Sequence, residues 1–192
     1  RPPRSTLSSS SAASDVYKRQ EITHSADLPR PWIIAKLMPS SQNIAFSYIL
    51  GNQFAQKGDF NAAEVYLKKA HDKAPTSLDY ALSYSRLLFN RKDYREAKKI
   101  LMPFAANPVE NSLALSLLGA CSQALGEYEE AIFFYKNYLS HAGTNLTILN
   151  SIGECYLELG NHKEALIAWE KSLEIDPGQE NLKKIVEDLK KK

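Results

Sequence analysis

LNSIGECYLELGNHKEALIAWEKSLEIDP, residues 149–177, decides how the chain is read, because earlier segments are looser copies of it at a constant spacing. Counting back from Gly160 reaches Gly126, Lys92 and Gly58; from Ala165 it reaches Ala131, Ala97 and Ala63; from Gly153 it reaches Gly119, Ser85 and Gly51. The spacing is about 34 residues, and such a period with two helices per unit is the signature of a solenoid. A lone hairpin of this kind cannot bury its apolar face; stacked copies can, and about three are needed for a continuous core.

Working outward, repeat one spans 44–77. Phe46, Leu50 and Phe54 recur at helical spacing on one face, with Ser41 or Asn43 placed to cap the first helix. The turn Lys57-Gly58-Asp59 leads into a second helix over 62–73, which Pro75 stops. Repeat two, 78–111, is irregular: Lys92 replaces the turn glycine, Ser85 replaces the packing glycine, and Pro103 predicts a kink or stop near Met102. Repeats three and four span 112–145 and 146–179, the last closed by Pro177. Residues 180–192 place Leu182, Ile185, Val186 and Leu189 on one face with lysines elsewhere, the pattern of a capping helix. Small residues at Gly51, Gly119 and Gly153 are expected to meet Ala63, Ala131 and Ala165 where helices approach closely.

Upstream of the repeats the sequence changes character. Pro29, Pro31 and Pro39 make residues 21–43 a connector. Its apolar cluster Trp32, Ile33, Ile34, Leu37 and Met38 either packs on the first hairpin, the favoured reading, or belongs with an upstream domain. Residues 10–20, SSAASDVYKRQ, resemble the in-frame translation of a sequencing-library adaptor, and RPPRST at 1–6 resembles the primer that precedes it. Residues 1–20 are therefore expected to be a non-native leader, with the natural reading frame continuing upstream of Glu21; a Ser-rich disordered tail is the alternative. Arg1, Arg4, Lys18 and Arg19 lie in that leader against Asp15. The whole chain is at +2 with a pI near 8.4, but the remainder is at −1. The basic pI is then no argument for a nucleic-acid partner. No apolar run approaches the roughly 18 residues of a membrane span.

Motifs of catalysis are missing. The sequence shows neither a Gly-rich phosphate loop nor a nucleophile elbow nor HExxH, so no catalytic residue, cofactor or metal is expected. His24, His71, His141 and His162 are scattered. Cys121 and Cys155, one period apart in successive first helices, read as small buried packing residues and not as a disulfide or metal pair. Lys98-Lys99 and Glu129-Glu130 read as solvated faces. Asn145-Leu146-Thr147 fits a glycosylation sequon, although Asn145 is better explained as a helix cap.

The recurring set Gly153-x2-Tyr156, Gly160, Ala165, Trp169 and Pro177 resembles the tetratricopeptide repeat, and the resemblance covers 44–179, with departures at Ser85, Lys92, Phe104 and Ser122. The family implies an all-α, right-handed superhelical solenoid: here four hairpins plus a C-terminal capping helix, whose first helices line a concave groove. By the same resemblance the groove is lined by Tyr48, Asn52 and Gln56; by Leu82, Arg86, Phe89 and Asn90; and by Gln123, Asn150 and Glu154. Asn52, Gln123 and Asn150 suit a peptide backbone, Arg86 a carboxylate, and Tyr48, Leu82 and Phe89 apolar anchors. One arginine stands in the groove set against Asp79, Glu154 and Glu158, which argues against nucleic acid. The chaperone-tail clamp of the family is disfavoured, since Asn52 matches it while Tyr48, Arg86, Leu113 and Leu117 do not.

The function implied is a non-catalytic scaffold holding a protein or peptide partner in the groove, with self-association left open. The alternative is the C-terminal module of a longer bacterial protein whose N-terminal part carries an enzymatic or envelope and secretion function. DLPRPWIIAKLMP, residues 27–39, has a faint similarity to the segment before helical repeats in GWxTD-domain proteins, without the defining motif.

Overall fold

The computed structural model describes residues 40–191, and within them the chain is a row of helices in antiparallel hairpins. The first hairpin is α1 (Ser40–Gln56) with α2 (Phe60–Lys73), and the second is α3 (Leu78–Asn90) with α4 (Tyr94–Leu101). Then come α5 (Ser112–Ala124) with α6 (Tyr128–Ala142), α7 (Leu146–Glu158) with α8 (His162–Ile175), and a last helix, α9 (Glu180–Lys190). The two helices of each hairpin pack on one another, and each second helix packs on the first helix of the next unit or on the last helix, so the fold is an all-α solenoid of four hairpins with a cap. The connector cluster around Trp32 lies outside the described residues.

The turns explain the period. Gly58, Gly126 and Gly160 hold φ of 80°, 78° and 71°, the left-handed conformation that ends a helix and lets the chain reverse. Lys92 occupies the same place at φ 68°, the one positive-φ non-glycine residue described, so repeat two keeps the turn geometry despite its side chain. Asp59 and Asn161 then cap the second helices, accepting from the amides of Ala62 at 3.0 Å and Glu164 at 3.4 Å. Asn145 caps α7 by accepting from the Ile148 amide at 3.1 Å. The cap expected for the first helix is different: α1 begins at Ser40, so Ser41 and Asn43 lie inside it. Asn43 accepts there from the Ser47 hydroxyl and, through its side chain, from Lys69 of α2.

Repeat two stops where Pro103 predicts. The α-helix ends at Leu101, and Met102–Ala106 continues as a tighter 3-10 turn that needs no amide from the proline.

The core is a chain of overlapping clusters running through the row. Ala63, Leu67, Tyr84, Leu87 and Ala97 join repeats one and two with Cys121 of repeat three, and Ala131, Tyr135, Ile148, Ile152 and Cys155 join three and four. Leu182 and Val186 of α9 close the end against Ala165 and Trp169, while Lys184 faces solvent and Lys190 pairs with Glu170 at 2.5 Å.

The glycines in the first helices pack against partners other than the ones expected. Ala63, Ala97, Ala131 and Ala165 are all fully buried, but the nearest atoms to a methyl placed on Gly51, Gly119 or Gly153 belong to Leu67, Tyr135 and Trp169. Such a methyl would stand 2.6 Å from Leu67 Cγ and 2.5 Å from the Tyr135 ring, and would overlap the Trp169 indole. The glycine is a socket for a large side chain of the second helix. In repeat two the equivalent positions are Ser85 and Leu101, both fully buried, and the Ser85 hydroxyl has no hydrogen-bond partner among the described residues.

A second correction concerns charge. Lys98 is no solvated residue: its side chain is 16% exposed and binds Glu127 at 2.6 Å and also Glu130, so α4 is tied to α6 and the turn before it. Burial opposes its charge, yet the two carboxylates outweigh burial and hold its pKa above the ordinary lysine value.

Candidate functional site

The layer of first helices is the natural place for a site, because a bent solenoid brings its inner helices closer than its outer ones. Lateral contact runs from α1 to α3 and from α3 to α5, placing these helices on the inner curve. Side chains of that face not consumed by stacking are the candidates for the groove that the repeat resemblance implies.

At the N-terminal end the groove is open. Asn52 is half-buried, while Gln56, Arg86 and Asn90 are exposed. Arg86 forms no ion pair with any described residue. Tyr48 and Phe89 are half-buried aromatics against the first core cluster. Tyr48 packs on Tyr80 with ring centroids 4.9 Å apart and accepts a long 3.4 Å hydrogen bond from Ser83, and Phe89 meets the edge of Tyr94 at 5.1 Å. Each keeps part of its ring exposed while its packing fixes the rest, a state in which an aromatic side chain has little conformational freedom left to lose.

Leu82 does not belong with them. It is 8% exposed and lies in the core with Ala81, Leu101 and Leu115, because the position that carries it points between α4 and α5 and not into the groove.

At the C-terminal end the predicted residues are joined to one another. Gln123 accepts from the Tyr135 hydroxyl at 2.8 Å and donates to Glu154 at 3.0 Å, linking repeats three and four. Burial pushes the Tyr135 hydroxyl up in pKa and keeps it a neutral donor to Gln123. Asn150 donates to Gln179 at 2.8 Å, and its backbone carbonyl accepts from the Trp169 indole at 3.2 Å. Around them is a cavity of about 610 Å³ whose walls include Leu157, Trp169, Leu182 and Ile185 with Asn150, Glu154, Gln179 and Glu180.

Sequence reasoning missed Gln179 and Trp169 as parts of this end. Gln179 looks like the last residue of a repeat and carries no motif; Trp169 reads as core, which it also is, being 2% exposed.

The remaining reactive groups are packing residues. Cys121 and Cys155 are free, fully buried and held in separate clusters. Burial pushes their thiols up to about 11 and about 12. His71 is half-buried, its ring 6.0 Å from Tyr84, and burial lowers its pKa. Among the described residues no group of three or more His, Cys, Asp or Glu side chains is arranged to hold a metal, and no helix is long and apolar enough to cross a membrane.

Comparison with known proteins agrees with this fold. The profile of the tetratricopeptide repeat matches residues 110–178, and that of the anaphase-promoting complex, cyclosome, subunit 3 matches 56–138. Among solved structures, MamA aligns at 22% identity with a TM-score of 0.68, over 72% of this chain and 76% of that one. A further MamA crystal form, MSR-1 C2, aligns at 22% identity and 0.66 over 88% and 92%. The APC/C hetero-tetramer Cut9–Hcn1 aligns at 18% identity and 0.64, over 81% of this chain and 35% of that one. No curated protein sequence matches. At these identities the structural likeness speaks to the fold.

Proposed function

We propose that the chain, matched over residues 110–178 by the tetratricopeptide repeat profile and over 56–138 by that of the anaphase-promoting complex, cyclosome, subunit 3, is a tetratricopeptide repeat protein and a non-catalytic scaffold whose first-helix groove holds an extended or helical segment of a partner protein. The observation that carries the reading is the state of Arg86 and its neighbours. An exposed guanidinium without an ion pair among the described residues stands one helical turn from Phe89, in the same half of the groove as Tyr48 and Asn52. A planar donor fork next to a half-buried aromatic suits a segment that carries a carboxylate beside an apolar side chain. Asn52, Gln56 and Asn90 supply donors and acceptors for its backbone.

The test is to pan a random peptide display library on the full chain and measure binding of the selected peptides to the Arg86→Ala, Phe89→Ala double variant. Selected peptides are expected to carry an acidic residue near an apolar one, and to bind the folded double variant at least about tenfold more weakly. Peptides that bind both forms equally locate the site elsewhere and refute the groove.

A further inference from the structure

We infer that the C-terminal end of the groove is a subsite for a basic side chain of the partner, a lysine ammonium or an arginine guanidinium. The inference rests on the groove reading above and adds the chemistry of one contact.

The geometry of Asn150 fixes what the cavity accepts. Gln179 spends its side-chain amide on the end of α8, donating to the Ser172 carbonyl at 3.2 Å, the Ser172 hydroxyl at 3.0 Å and the Asp176 carbonyl at 3.2 Å. Its Oε1 therefore points away from α8 and accepts from Asn150 Nδ2 at 2.8 Å. Reversing the Asn150 amide would set two oxygens against each other, so Asn150 Oδ1 is left as an acceptor. No donor among the described residues reaches it. The atom is closed to solvent, so a ligand's donor reaches it only as the side chains over it turn aside, and reaching it removes the free-energy cost of a buried acceptor without a donor.

One helical turn along α7, Glu154 lines the same cavity. Its recorded hydrogen bond is with the neutral amide of Gln123 at 3.0 Å, and no cation pairs with it among the described residues. Glu180, also on the lining, already has Lys183 at 2.8 Å. The unbalanced charge at the mouth is thus that of Glu154.

Leu157, Trp169 and Ile185 give the cavity an apolar flank. A long side chain laid against that flank with its head at Asn150 and Glu154 satisfies both groups, as lysine and arginine do where stem and head face different surroundings. A carboxylate guest meets Glu154 as a like charge, and an apolar guest leaves Asn150 Oδ1 unpaired. Arg86 and Glu154 occupy the same register two periods apart. One groove therefore presents a cation in repeat two and an anion in repeat four.

The test is an NMR titration of the full chain with N-acetyl-lysine methylamide, with the norleucine and glutamate analogues as matched controls. The lysine probe is expected to shift the Trp169 indole and the Asn150 and Gln179 side-chain amides saturably. Its binding should weaken about tenfold in Glu154→Gln, which keeps an acceptor for Gln123, and stay unchanged in Arg86→Ala. The inference is overturned if norleucine moves the same signals equally, if Glu154→Gln binds lysine as well as the parent, or if no signal saturates. Failure of the groove reading is seen separately, as panned peptides indifferent to Arg86 and Phe89; in that event a lysine response lost in Glu154→Gln leaves the subsite standing alone.

Discussion

Replacing Gly119 with alanine separates local propensity from packing, because the two act in opposite directions with sizes that can be compared. In mid-helix the change should stabilise by about 1 kcal/mol on propensity alone. Against this, the new methyl would stand 2.5 Å from Cδ1 and Cε1 of Tyr135, which is 2% exposed and closely packed. To reach ordinary contact the ring must retreat by roughly 1 Å, within a core that gives way only by moving its neighbours. Overpacking of this kind costs about 1 to 3 kcal/mol. The retreat also pulls the hydroxyl from Gln123, a 2.8 Å bond contributing about 1 kcal/mol. The sum is a net destabilisation of about 1 to 3 kcal/mol, or a fall in Tm of very roughly 2 to 10 °C for a domain of this size. Urea denaturation followed by far-UV circular dichroism measures it. A Gly119→Ala variant as stable as the parent, or more stable by the propensity increment, would refute the socket account of the glycines.

The other predictions follow from irregularities of repeat two and from the thiols. Lys92→Gly relieves a left-handed lysine at φ 68° and should stabilise by about 1 kcal/mol in the same denaturation assay. Ser85→Ala removes a buried hydroxyl that has no partner among the described residues, so its expected effect is neutral to stabilising by about 1 kcal/mol; a loss above about 1 kcal/mol would mean the hydroxyl is satisfied. Cys121 and Cys155 should resist iodoacetamide at pH 8 in the folded chain and react once it is unfolded. Their folded pKa values are raised from 9.0 to about 11 and about 12, so the folded state holds these protons more tightly. The stabilisation linked to the thiols is complete below about pH 9 and is lost as pH rises toward 11 to 12, and a Cys121→Ala, Cys155→Ala variant should show a flatter stability profile over that window.

The fold was legible because its cause is periodic. Gly58, Gly126 and Gly160 mark turns, Ala63, Ala131 and Ala165 mark fully buried joints, and agreement at one spacing is hard to produce by any other architecture. Even Lys92 was readable in register, although only the structure shows that it adopts the glycine conformation instead of deforming the turn. The partners of the glycines were harder to read. Sequence says that a small residue is wanted, but whether it faces an alanine or the ring of Tyr135 depends on the rotation of one helix against another. The site was legible only in part for the same reason. Family register places Leu82 and Arg86 on one face, about a turn apart, yet Leu82 is covered by Leu101 and Leu115 of the neighbouring helices while Arg86 stays exposed, a difference that the stacking of the next repeat decides. Long-range hydrogen bonds such as Asn150 with Gln179 and Gln123 with Glu154 depend on the curvature of the stack, which no local pattern encodes.

The central claim is that the first-helix face binds. Hydrogen exchange of the full chain with and without the tightest panned peptide tests it most directly, since amide protection is read along every helix in one experiment. The account predicts slowed exchange on α1, α3 and α5 around Asn52, Arg86 and Gln123, with α2, α4 and α6 unchanged. Protection confined to the second helices, around exposed Val65 or Phe133, would place the binding surface on the opposite side of the solenoid and contradict the account.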